Sequence, residues 1–262
     1  MTNHPAFDPS AGYQPMVRGE RPQASSAPEQ ELAMRQWQCA IGYRIFGGLR
    51  WGQMGDGHIS ARDPFDPDHF WILGFGVPFK EATIDALVKV SPEGDVVEGS
   101  LGINRAAYYI HSPILAARPD AVCAAHTHTP YGTAFSALVE PFRAVSQESA
   151  AFVFNQSIFD DEELDIYDTD GGDRIGRALG STRLCFLRNH GLLTVGATVA
   201  EAVGFFVMAE RVAEVHIKAP QAKAISDEGA KKVGHILDDP WVGNANFEWL
   251  ARDLVPDPSV VH

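Results

Sequence analysis

Two histidines one residue apart, His126 and His128, close the apolar run Ala121-Val122-Cys123-Ala124-Ala125. The run is rich in small residues and reads as a buried strand. Alternate residues of a strand face the same side, so both imidazoles can point at one atom. A third histidine ends a second strand-like run, Leu184-Cys185-Phe186-Leu187-Arg188-Asn189-His190-Gly191. Three neutral imidazoles delivered from two strands make a divalent-metal site with open positions. No other feature constrains the chain as strongly.

The length of 262 residues allows one large domain or two small ones. No apolar run approaches the roughly 18 residues of a membrane helix, and the N-terminus shows no basic-then-apolar signal pattern. The three cysteines, Cys39, Cys123 and Cys185, are too few and too apolar in context for a disulfide framework, so a reducing cytoplasm is the expected location. A formal net charge of −13 argues against nucleic acid and anionic membranes as partners. It leaves an anionic small molecule open, because one arginine in a cleft can outweigh the global field.

Residues 1–28 are rich in Pro, Ser, Gly and Gln and read as a mobile arm. Apolar spacing predicts a helix from Glu29 to Phe46, ended by Gly47-Gly48. A Gly-rich stretch, Gly52 to Ser60, follows. Strands are expected at His69 to Leu73 and Leu87 to Val90, with turns at Gly74 to Pro78 and Pro92 to Asp95. Asn104 can cap a helix to about Ala117, kinked or divided by Pro113. A short helix is expected over Tyr131 to Leu138, a strand at Ala144 to Ser146 and a helix at Gln147 to Phe154. The acidic stretch Asp160 to Asp173 reads as an exposed loop. Thr198-Val199-Ala200-Glu201 is a capping box opening a long helix to about Lys218. Residues 221–262, with Trp241, Phe247 and Trp249, read as a C-terminal extension packing on the domain 29–220 or on a neighbouring subunit. Alternating short strands and helices indicate one α/β domain.

With both histidine segments in place, the chain resembles the class II aldolase/adducin family. The matching stretches are Ala117-Arg118-Pro119-Asp120, Ala125-His126-Thr127-His128-Thr129-Pro130-Tyr131 and Asn189-His190-Gly191-Leu192-Leu193. Gly57-His58-Ile59-Ser60 and Gly76-Val77-Pro78 match weaker motifs. The resemblance implies a three-layer α/β/α fold around a mainly antiparallel sheet, and a homotetramer with sites between subunits. It also implies a divalent metal on His126, His128 and His190, usually zinc, with iron or manganese as alternatives.

The family's aldolases carry a glutamate base where this chain has Ala107, which can neither move a proton nor bind metal. Glu98 and Glu148 are the carboxylates that could replace it. Where the aldolases place small phosphate-binding side chains, this chain has His58, Phe75 (beside Gly76), Arg105 and Ala106. Phenylalanine and arginine suit a planar or apolar acid better than a sugar phosphate. The expected substrate is therefore a non-phosphorylated, aromatic or otherwise apolar hydroxy or keto acid.

The expected function is that of a metal-dependent lyase, decarboxylating such an acid or cleaving it in retro-aldol fashion. Arg105 and His58 would orient the acid, Tyr131 or a water would return the proton, and Glu148 stands as the substitute base. His111 reads as a core residue or a site residue. Two rivals share the resemblance: a non-haem iron oxygenase performing oxidative decarboxylation on the same three histidines, and an adducin-like binding protein without chemistry.

Overall fold

Strands of three to six residues cannot bury an apolar face alone, and here eight of them join edge to edge. The computed structural model describes Tyr13, residues 27–162 and residues 166–262. In chain order, α1 (Pro28–Gly48) leads into β1 (Gly57–Arg62), β2 (Phe70–Leu73), β3 (Leu87–Val90) and β4 (Val96–Glu98). α2 (Arg105–Ala117), β5 (Cys123–Thr127), α3 (Pro130–Ser136), β6 (Gln156–Phe159) and α4 (Thr169–Leu179) follow. β7 (Leu184–Leu187), β8 (Gly191–Gly196), α5 (Val199–Lys218), α6 (Asp227–Leu237) and α7 (Pro240–Leu254) complete the described elements, with short 3-10 turns between some of them.

The sheet order is β4-β3-β2-β1-β5-β8-β7-β6. Every pairing is antiparallel except β6 with β7. Alternation along the strands divides the interior in two. Ile59, Ala61, Cys123, Ala125 and Leu192 face a core shared with α1, α5 and α7. Ala124, Cys185, Leu193 and Val195 face a second core under α2 and α4. The result is a three-layer α/β/α fold with a mainly antiparallel sheet. His126 has the parity of Ala124, so it stands on the α2/α4 side. No described helix is long and apolar enough to cross a membrane.

Local chemistry sets the helix starts. Asn104 accepts the Ala106 N–H at 3.1 Å and Thr198 the Glu201 N–H at 2.9 Å, each satisfying an orphan donor of the first turn. Glu201 reaches back to the Ala197 N–H rather than to Thr198. Pro113 lies inside α2 without dividing it.

Several expectations give way to tertiary context. Residues 57–60 of the Gly-rich stretch belong to β1, because β2 and β5 pair with it on both sides. Ala144 to Ser146 joins no strand. The expected helix at Gln147 to Phe154 is a single 3-10 turn, Glu148–Ala151. The acidic stretch ends in α4, capped by Asp168. A Cβ on Gly172 of α4 would lie 2.0 Å from Tyr109 O, so a residue of poor helix propensity is what lets α2 and α4 touch. The C-terminal segment forms α6 and α7, and Phe247 of α7 is fully buried in the first core. The expected arm, 1–28, lies outside the described residues except for Tyr13, Ala27 and Pro28. The Tyr13 hydroxyl donates to Val255 O at 2.7 Å.

Gly57 faces Thr127 across β1 and β5. A Cβ there would lie 2.4 Å from Thr127 Oγ1 and 2.9 Å from His126 O. Gly57→Ala should therefore displace the strand carrying both paired histidines and cost about 1–3 kcal/mol. A urea-denaturation midpoint unchanged from the parent would refute this.

Candidate metal centre

Strand β5 ends at the sheet's α2/α4 face, and His126 and His128 leave it there. His190 arrives from the tight turn joining β7 to β8. That turn needs Asn189 at φ 56°, a left-handed conformation asparagine tolerates better than most residues. The three rings converge. Centroids of His126 and His190 are 4.7 Å apart, of His128 and His190 4.8 Å, and of His126 and His128 5.4 Å. One ring nitrogen from each lies within 4.8 Å of the others.

Hydrogen bonding aims these rings. His126 Nδ1 sits 2.7 Å from Leu192 O. A carbonyl only accepts, so the proton is on Nδ1 and the Nε2 lone pair is free, as in metal-bound histidines held from behind. Asp56 brackets His128: its carbonyl accepts the His128 N–H at 3.2 Å, and its carboxylate stands 3.7 Å from Nδ1. Burial, then the neighbouring His190, His58 and His128, push the His126 pKa well below the ordinary histidine value. A neutral imidazole is the form that ligates. His128 is 43% exposed in its side chain, so the centre is open on that side.

A buried carboxylate anchors the segment beyond His128. Glu210 of α5 accepts the Thr129 hydroxyl at 2.6 Å, the Tyr131 N–H at 3.0 Å and the Gly132 N–H at 2.6 Å. It thereby caps α3. Thr133, one residue on, donates to His190 O at 3.3 Å. Burial raises the Glu210 pKa against these three donors. Glu210→Ala would orphan all three and should cost on the order of 3 kcal/mol, with weakened zinc retention by the purified protein. Unchanged thermal stability would show that α3 needs no anchor.

The rings open on a cavity of about 450 Å³ lined by Asp56, His58, Ala106, Ile110, Thr133 and Ile166, among others. His58 lies directly across from His126 in the β1–β5 register and is 5% exposed. The other expected site residues fall elsewhere. Arg105 is exposed and donates to Gly94 O at 3.1 Å, turned toward the β3–β4 turn. Phe75 is 67% exposed and Gly76 stands in open space. The ring of Tyr131 lies 5.2 Å from Lys218 Nζ. Glu148 sits in the 3-10 turn against α6, and Glu98 ends the edge strand β4, exposed. None of these six lines the cavity.

Ala107 is fully buried in α2, and among the described residues no glutamate lines the cavity. Asp56 was missed because its place comes from strand register, not from a motif of its own. His111, one helical turn beyond Ala107, approaches His58: its Nε2 is 2.6 Å from His58 Nδ1.

The family model for the class II aldolase and adducin N-terminal domain matches residues 38–217. The chain belongs to this family. It is 32% identical to decarboxylase NovR of Streptomyces niveus over 87% of each chain. It is also 32% identical to the 4-hydroxy-3-prenylphenylpyruvate oxygenase/4-hydroxy-3-prenylbenzoate synthase of Streptomyces roseochromogenus subsp. oscitans, covering 83% of this chain and 80% of that one. Alpha-adducin of Rattus norvegicus is 34% identical over 95% of the chain, which spans only 37% of that longer protein. Among solved structures, L-fuculose 1-phosphate aldolase from Glaciozyma antarctica PI12 superposes with a TM-score of 0.82 at 31% identity, covering 89% of this chain and 93% of that one. The family thus holds proteins named as decarboxylases, oxygenases and aldolases together with adducins.

Proposed function

We propose that this family member is a divalent-metal-dependent lyase that decarboxylates, or cleaves in retro-aldol fashion, a non-phosphorylated hydroxy or keto acid with an apolar or aromatic body. The observation that carries this reading is the convergence of His126, His128 and His190 on a cavity that Ile110 and Ile166 help to line. The name of the relative from Streptomyces niveus supports decarboxylation as the first choice. In this reading the three imidazoles hold zinc, a donor set equally suited to iron. A divalent ion there supplies Lewis-acid stabilisation of negative charge on a substrate oxygen.

The remaining work falls to the chain. Leu192 O and Asp56 keep His126 and His128 aimed. Ile110 and Ile166 exclude water from the cavity wall, and His58 gives the acid a polar contact at the rear. In decarboxylation the carbon–carbon bond to the carboxylate breaks, carbon dioxide leaves, and the electron pair stays on the substrate. A proton from solvent, entering on the open His128 side, then replaces the lost group. Arg105, Phe75, Gly76, Tyr131 and Glu148 have no step in this scheme, because they lie outside the cavity.

A second reading, oxidative decarboxylation on iron, is favoured by the name of the second Streptomyces relative. Elemental analysis of protein purified under argon without chelator separates the two. Zinc or manganese, with carbon dioxide released from hydroxy or keto acids and no oxygen consumed, is the expected result. Near-stoichiometric iron with matching oxygen uptake would replace the lyase by the oxygenase. Failure to carry or take up any metal would overturn both.

A further inference from the structure

We propose that Ser60 and His111 lock His58 in the tautomer whose Nε2 carries the proton, making it a fixed hydrogen-bond donor to an anionic substrate oxygen and keeping it off the metal. The role given to the substrate rests on the lyase reading above; the tautomer does not. Three buried side chains form one continuous line. His58 Nδ1 is 2.6 Å from His111 Nε2, and His111 Nδ1 is 2.6 Å from Ser60 Oγ. Ser60 and His111 are fully buried, so water cannot reset the protons.

The direction of the line follows from Ser60. Its hydroxyl oxygen accepts from the Ala124 N–H at 3.4 Å, and its proton could also reach Ala124 O at 3.4 Å, longer than an ordinary O–H···O bond. The flanking bonds His128 N–H to Asp56 O and Arg62 N–H to Val122 O share the register that pairs Ser60 with Ala124. Hydrogen-bonded pairs recur at every second position of an antiparallel ladder, so both backbone groups of Ala124 are engaged with Ser60's own backbone. Of its two possible acceptors, Ala124 O at 3.4 Å and His111 Nδ1 at 2.6 Å, the single hydroxyl proton goes to the closer one. His111 Nδ1 accepts it, which leaves the His111 proton on Nε2, donated to His58 Nδ1. A neutral imidazole has one N–H, so that of His58 is on Nε2.

Nε2 has no hydrogen-bond partner among the described residues, and His58 lines the cavity. A nitrogen carrying a proton cannot ligate, which separates His58 from the three ligating histidines although it faces His126 at 5.1 Å between centroids. His58 is buried and borders the rings of His111 and His126, surroundings that disfavour a charged imidazole. The line ends at Ser60, whose one hydroxyl proton goes to His111, so it orients a donor. Ser60 and His111 are positioning residues.

The test is the long-range nitrogen–proton spectrum of histidine side chains in the full-length, zinc-loaded protein, with His58→Gln used to assign the signals. His58 and His111 should both show a proton on Nε2. Ser60→Ala should remove this pattern from both rings without loss of zinc. His111→Gln, which keeps an N–H donor toward His58, should preserve the His58 pattern. A proton on His58 Nδ1 in the parent protein overturns the proposal.

Titration with oxalate, a planar dianion, tests the donor, with zinc content checked afterwards. His58→Phe should bind it about tenfold more weakly, the worth of one hydrogen bond to a charged group; unchanged affinity would remove the donor role. The Nε2–H pattern with oxalate sensitivity, but no turnover of any hydroxy or keto acid, would support the donor and overturn the lyase reading.

Discussion

Replacing His126 with Ala is expected to strip zinc from the purified protein and abolish turnover. Of the three converging histidines it is the most enclosed, at 1% exposure, and the one whose tautomer is fixed from behind, by Leu192 O at 2.7 Å. Removing an outer partner of a ligand usually costs 10–100-fold in metal affinity. Removing the ligand itself should exceed that, a loss beyond about 2.7 kcal/mol. The replacements the sequence offers do not reach the centre: Ala107 has no donor, and Glu98 and Glu148 lie away from the cavity. Competition with a chromogenic chelator gives the affinity, and circular dichroism checks that β5 still pairs with β1 and β8. His128→Ala, at the exposed side of the centre, should lose less. Parent-like zinc content in His126→Ala would refute the ligand set.

The three-histidine cluster was legible because its geometry is local. A period of two puts His126 and His128 on one face of any strand, and Asn189-His190-Gly191 announces a turn. What surrounds them was not, because it is assembled across the sequence. Asp56 acquires its place opposite His128 only once β1 pairs with β5. His111 could be read equally as core or site, since the ring it touches, His58, lies in another element. Arg105 shows the converse case. Its position at the start of α2 was read correctly, but its side chain found Gly94 O on a turn that sequence alone does not place beside it. In the fold, helices with side-chain caps such as Asn104 and Thr198 were readable. β1 was hidden by glycine and histidine, which have weak strand preference, and its pairing with β2 and β5 outweighs that preference.

Acid should unfold the chelated protein steeply, and the buried histidines set where. Burial holds the pKa values of His58 and His126 well below the ordinary 6.5 and drives His111 down to about 3. Below about pH 6.5 the unfolded chain therefore binds protons that the native state refuses. With more protons bound in the unfolded state, stability rises with pH and falls on acidification. Each histidine contributes about 1.4 kcal/mol per pH unit in that window, and three together about 4 kcal/mol per unit. Against a total stability of about 5–15 kcal/mol, a fall of roughly one to four pH units below the window's upper edge is enough to approach unfolding. Melting temperatures recorded from neutral pH down to about pH 5 should decline throughout the lower part of that range; a flat profile would show that these imidazoles accept protons in the folded state. His111→Leu should reduce the slope by about one third, because one of the three refused protons no longer exists. Zinc should move the decline to lower pH, since ligation and protonation compete for the same lone pairs, whereas His111, bonded to Ser60 and not to the centre, should keep its share of the slope in the loaded protein.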